Sequence, residues 1–153
     1  MDGIIFDVDG TLWDSVEVVA ESWNLAIKEN SDLEPNLNRE ILQGLFGKTM
    51  DEIAAGVFPD LDLDSRRKLM DICFDYENRY LETHPGVYYE GVMDTLKELA
   101  LEYPLFIVSN CQCGYIEVMM KGAGMEPYIK DFLCFWPDAD FQRPDDSEIN
   151  GEK

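Results

Sequence analysis

Residues 3–13 read GIIFDVDGTLW. The apolar run over residues 3–8 is too short for a helix and is bounded by Asp9-Gly10, so it predicts a strand of a parallel sheet, buried on both faces. Asp7 and Asp9 stand two residues apart at its end, and a strand's period of two sends both side chains to the same side. Like charges held that close repel, and burying them unpaired costs on the order of several kcal/mol. Something must compensate for them.

The chain beyond them alternates between helix and strand. Residues 14–30 carry Val18, Val19, Trp23, Ala26 and Ile27 near a 3.6-residue period, with Asp14 or Ser15 as the N-cap, which predicts a helix. Residues 36–46, 49–58 and 62–84 predict further amphipathic helices, and His84-Pro85-Gly86 marks a break. Then come a helix over 91–102, an apolar strand over 104–109, a helix over 114–122 and a short strand over 132–135. This order predicts an α/β fold with a Rossmann-like parallel sheet core. Residues 14–84 are too many for one crossover helix. They predict a helical cap, hinged near Asp14 and His84-Pro85-Gly86, inserted into a core of residues 1–13 and 85–135. The tail, 136–153, is polar and without periodicity.

Composition narrows the partners. Of 153 residues, 46% are hydrophobic, enough for a packed core. Twelve basic against thirty-two acidic residues give a net charge of -20, which argues against nucleic acid and anionic membrane and suits a divalent cation. Cys73, Cys111, Cys113 and Cys134 form no C-x-x-C pair, and the one histidine, His84, completes no zinc set. With no signal-like start and no apolar run of membrane-spanning length, the expectation is a reduced, cytoplasmic protein. An EF-hand reading of the D-x-D fails, because Leu12 and Val18 occupy the places of its glycine and its final acid. A P-loop at residues 44–49 fails too, since Leu42 stands where it needs glycine.

Ligands of parallel sheets bind at the carboxyl ends of the strands. Asp7 and Asp9 end the first strand, and Ser109-Asn110 end the second. Mg²⁺, a hard cation that prefers oxygen and recruits phosphate, would supply the missing compensation.

D-V-D-G-T-L at residues 7–12 and the strand end I-V-S-N at 107–110, with a helical insertion after the first, resemble the haloacid dehalogenase-like phosphohydrolases. The subfamily most similar includes phosphoglycolate phosphatases and β-phosphoglucomutases. The resemblance implies that Asp7 is the nucleophile, forming an aspartyl-phosphate, and that Asp9 is the general acid and base. It implies that Gly10, Thr11, Ser109 and Asn110 hold the phosphoryl group. Mg²⁺ would take the Asp7 carboxylate and the Asp9 backbone carbonyl. Lys48, in a cap segment similar to the family's substrate-facing loop, would meet a distal anionic group of a small phosphorylated metabolite. Thr11 favours hydrolysis over phosphoryl migration. The alternatives are a non-catalytic relative that binds phosphate or metal, and a β-phosphoglucomutase-like phosphotransferase. A response-regulator phosphoacceptor is disfavoured by the long insertion.

The resemblance also implies a lysine near Gln142 and, further on, an acidic metal-binding motif; Arg143 and Lys153 are imperfect stand-ins for the lysine. A frame shifted by one base would place a glycine at Trp136 and a lysine-glycine at Gln142-Arg143, so the tail is expected to be a frameshifted family segment. A chain cut short there would leave its first strand as an exposed apolar edge, with weak activity, low stability and self-association.

Overall fold

The computed structural model describes residues 2–136. The chain runs β1 (Ile4–Phe6), β2 (Trp13–Asp14), α1 (Val16–Asn30), α2 (Arg39–Gln43), α3 (Met50–Val57) and α4 (Leu63–Thr83). It continues through β3 (Val87–Tyr88), α5 (Val92–Ala100), β4 (Leu105–Gln112), α6 (Tyr115–Ala123), a 3₁₀ turn (Glu126–Tyr128) and β5 (Asp131–Trp136). The α/β reading holds: β1, β4 and β5 form a parallel sheet in the order β1-β4-β5. The tail and its proposed frame lie outside the described residues.

Both crossovers advance in one direction, and right-handed crossovers then place α5 and α6 on the same face. Leu105 and Ile107 of β4 accordingly pack with Leu96 of α5 and Ile116 and Met119 of α6 in one buried cluster. The alternate residues Phe106 and Val108 are only half-buried, and Ile5 is 68% exposed. Among the described residues β1, with its exposed Ile5, is also an edge strand, with β4 as its one strand neighbour.

A second buried cluster is drawn wholly from residues 16–74, with Trp23, Leu42 and Phe74 among its members. α1 and α4 form its frame; the apolar stripe Leu69, Met70, Cys73, Phe74 on α4 recurs at helical spacing. Thr49 and Glu52 close a capping box on α3, and Asp62 caps α4 through the Ser65 N–H, which starts both helices where the sequence predicts. Ser15 holds the N-cap position of α1, but Asp14 Oδ1 accepts the Val16 N–H at 3.1 Å in its place.

The structure departs from the sequence reading at several points, and β4 runs on to Gln112, which places Ser109 and Asn110 inside the strand rather than at its end. β1 ends at Phe6, because the Val8 carbonyl is taken by the N–H groups of Thr11 and Leu12 at 3.1 and 2.8 Å and cannot extend a ladder. The antiparallel pair β2–β3, two residues each, was too short to carry a periodic signal. It joins both ends of the helical segment, and Gly86 explains its closeness: a Cβ there would lie 2.8 Å from the Trp13 ring and 2.9 Å from the Asp14 carbonyl. No described helix is long and apolar enough to cross a membrane.

Candidate active site

The turn after β1 builds the site. Asp7 is exposed, and its Oδ1 accepts the Val8 N–H at 2.9 Å. Val8 is fully buried, so the carboxylate is anchored to a fixed point of the core. Gly10 has φ +77°, a left-handed conformation that lets the chain reverse at once, and its N–H meets the Trp13 carbonyl at 3.0 Å.

Asp9 is turned inward. Its Oδ1 accepts the Tyr115 hydroxyl at 2.5 Å and the Ser15 hydroxyl at 3.3 Å. Tyr115, the first residue of α6, is itself buried and accepts the Trp13 indole N–H at 3.1 Å. Burial pushes the Asp9 carboxyl up to about 6, against the lowering effect of the Tyr115 bond and with a smaller push from Asp7. The two aspartates thus occupy different environments: Asp7 faces solvent, and Asp9 is turned inward, where burial favours its proton over the opposing hydrogen bonds.

A cavity of about 570 Å³ opens over this turn. Asp7, Asp9 and Gly10 line it from the turn after β1, Ser109 and Asn110 from β4, and Lys48 from the turn between α2 and α3. Thr11 lies outside that wall, exposed, with its N–H spent on Val8. Arg39, on α2, pairs with Asp14 at 2.7 Å, so one wall carboxylate is already neutralised.

Sequence reasoning missed Ser15, Tyr115 and Glu77. Glu77, on α4, lines the cavity at 3% exposure, and its Oε2 accepts the Trp23 indole N–H at 2.6 Å. The signal was available, for Glu77 is the one acid on the buried α4 stripe that ends in Leu81. Trp23, expected as core, is both core and cavity wall. Burial raises the Glu77 carboxyl to about 8. A carboxyl raised on folding contributes stability that is present below its ordinary value, 4.5, and is lost as pH rises through about 8. Glu77→Gln keeps an oxygen for Trp23 but cannot ionise. Urea unfolding should find it more stable than the parent at pH 9, by on the order of 2–4 kcal/mol, and nearly equal at pH 4. Equal stability at pH 9 would show that Glu77 ionises there at no cost.

Among the described residues, no group of three Asp, Glu, His or Cys converges as a metal cage. Asp7 and Asp9 offer two oxygen donors, a set that fits Mg²⁺, which commonly takes one or two carboxylates and fills its remaining positions with water and substrate phosphate.

The family model for haloacid dehalogenase-like hydrolases matches residues 4–151. The chain belongs to that family. Among solved haloacid dehalogenase-like structures, it superposes on a hydrolase of Streptococcus pneumoniae with a TM-score of 0.71 and 21% identity, covering 91% of this chain and 63% of that one. A predicted phosphoglycolate phosphatase of Haemophilus somnus 129Pt gives a TM-score of 0.76 and 20% identity over 99% and 69% of the two chains. The HAD-hydrolase YfnB of Bacillus subtilis, solved bound to magnesium, gives 0.57 and 22% over 98% and 71%. At these identities the likeness is one of fold. This family member spans less than two thirds of the Streptococcus protein's length. No curated protein matches it.

Proposed function

We propose that this protein is a Mg²⁺-dependent phosphohydrolase acting on a small phosphorylated metabolite, in the manner of a phosphoglycolate phosphatase. The observation that carries the reading is the unequal environment of two carboxyls on one turn, an accessible Asp7 and an inward Asp9 raised to about 6. An Asp7 oxygen attacks phosphorus and an acyl-phosphate forms as the ester oxygen departs. Asp9 gives its proton to that oxygen, then accepts one from the water that attacks the acyl-phosphate. Gly10, Ser109 and Asn110 hold the phosphoryl oxygens, and Thr11 helps to position the turn. Lys48 meets an anionic group at the far end of the substrate. The Asp7 carboxylate and the Asp9 backbone carbonyl would hold Mg²⁺. The ion supplies positive charge against the phosphoryl oxygens. Membership of the family and the D-G-T turn support hydrolysis.

A second reading, a phosphate- or metal-binding relative without turnover, draws on the lack of a three-acid cluster among the described residues. Release of p-nitrophenol from its phosphate ester, with Mg²⁺ and with chelator, tests the choice. Mg²⁺-dependent release supports the enzyme. Metal binding by calorimetry without release supports the binding protein.

The edge of β1, open among the described residues, further supports a chain that self-associates, and the balance of acids supports a soluble, cytoplasmic protein with neither nucleic acid nor membrane as partner. Ile5→Lys places a charge on the exposed apolar edge and should shift sedimentation from assemblies towards monomer without lowering thermal stability. An unchanged distribution would show that this edge carries no association.

A further inference from the structure

Two cysteines outside the catalytic scheme meet at the same end of the sheet. Cys113 follows the last residue of β4, and Cys134 lies in β5, beside Ser109 in the strand register. Their Sγ atoms are 2.9 Å apart, although the residues are 21 positions apart in the chain. Cys113 is exposed and Cys134 partly so, whereas Cys73 and Cys111 are buried. The register of β4 and β5 is irregular between Ser109 and Gln112, and that irregularity precedes the meeting of the two thiols.

We propose that Cys113 and Cys134 are a modification site, a dithiol that exchanges with a low-molecular-weight disulfide of the glutathione type to close an intramolecular disulfide beside the candidate phosphate-binding strand end. The Cys113 thiolate attacks one sulfur of the glutathione disulfide; a protein–glutathione bond forms, the glutathione S–S bond breaks and a glutathione thiolate leaves. That thiolate takes the proton from Cys134, whose sulfur then attacks Cys113 and expels the second glutathione. The second glutathione thiolate takes up the proton that Cys113 released on ionising, so the two protein thiols are oxidised and the glutathione disulfide is reduced to two thiols. Burial and the bond to Cys113 push the Cys134 thiol up to about 12, so the exposed Cys113 is the sulfur that begins the exchange.

The site is coupled to its surroundings by geometry. The Cys113 carbonyl accepts the Asn78 side-chain N–H at 3.0 Å, and Gln112 Nε2 donates to Asn78 Oδ1 at 3.0 Å. α4 therefore grips the same turn that the disulfide would tie to β5. Ser109 and Asn110 lie just before that turn on β4.

Closure of this disulfide does not depend on catalysis and is measured without it. The full chain is equilibrated with mixtures of oxidised and reduced glutathione, quenched with an alkylating reagent under denaturing conditions, and mapped by peptide mass. The expected product is a monomeric chain with Cys113 joined to Cys134, and with Cys73 and Cys111 alkylated. Cys134→Ser should instead stop at a stable Cys113–glutathione adduct, and Cys113→Ser should leave Cys134 free. A bond between Cys111 and Cys134, disulfides between chains as the main product, or four alkylated cysteines throughout would overturn the proposal.

Discussion

Asp7→Asn is expected to lower Mg²⁺-dependent phosphomonoester turnover by about four orders of magnitude or more, the scale at which a covalent catalyst fails without its nucleophile. The substitution is nearly isosteric, and among the described residues the exposed carboxylate is bonded by the Val8 N–H alone, a bond that an amide oxygen can also accept. The fold should therefore survive, with stability within about 0.5 kcal/mol of the parent, as for surface substitutions generally. Mg²⁺ affinity should fall as well, because the same carboxylate would hold the ion. A stopped-time assay with p-nitrophenyl phosphate, run beside calorimetry with Mg²⁺ and urea unfolding, separates these effects. Turnover within tenfold of the parent would remove Asp7 from the nucleophile's role.

Asp9→Asn should slow turnover by about 10²–10⁴-fold, the usual worth of a positioned general acid and base. Its Mg²⁺ affinity should hold, since only the Asp9 backbone carbonyl would touch the ion. Loss of binding as complete as in Asp7→Asn would show that the side chain is a ligand. A structural signature goes with the kinetic one. The Asp9 carboxyl is raised from 3.8 to about 6 in the fold, so its contribution is present below 3.8 and is lost as pH rises through about 6. An amide at this position, still able to accept the Tyr115 hydroxyl, loses nothing. In chelator at pH 8, Asp9→Asn should therefore unfold at higher urea than the parent, by on the order of 1–3 kcal/mol, and the gain should vanish below pH 4.

The two aspartates of the candidate site were legible as a pair because a sharp contrast marks them: charge at the end of an apolar run, followed by Gly-Thr. The three sheet strands and every long helix were legible for the same reason, since burial imposes a period that a single chain displays. What the period could not reveal was the company kept across the fold. Tyr115 reads as one more apolar residue of α6, yet it lies 106 positions from Asp9 and donates the shortest bond to it. Ser15 reads as a helix cap and instead turns its hydroxyl to Asp9. β2 and β3 hold two residues each, and only Gly86, with no room for a Cβ against Trp13, hinted at them. Thr11 belongs to the motif but not to the cavity wall, because the turn spends its backbone on Val8.

In the proposed reaction phosphoryl transfer passes through the Asp7 carboxylate, and the Asp9→Asn chain offers the most direct view of it. p-Nitrophenolate leaves with little need of a proton, so phosphorylation should proceed in this variant while hydrolysis of the acyl-phosphate, which needs the Asp9 base, lags. The variant is mixed with Mg²⁺ and p-nitrophenyl phosphate, quenched in acid and mapped by peptide mass. One phosphoryl group is expected on Asp7, discharged by hydroxylamine and absent when Asp7 is also changed to Asn. A phosphoryl group on Ser109 or Thr11, or nitrophenol released with no phosphorylated chain at any time, would contradict it.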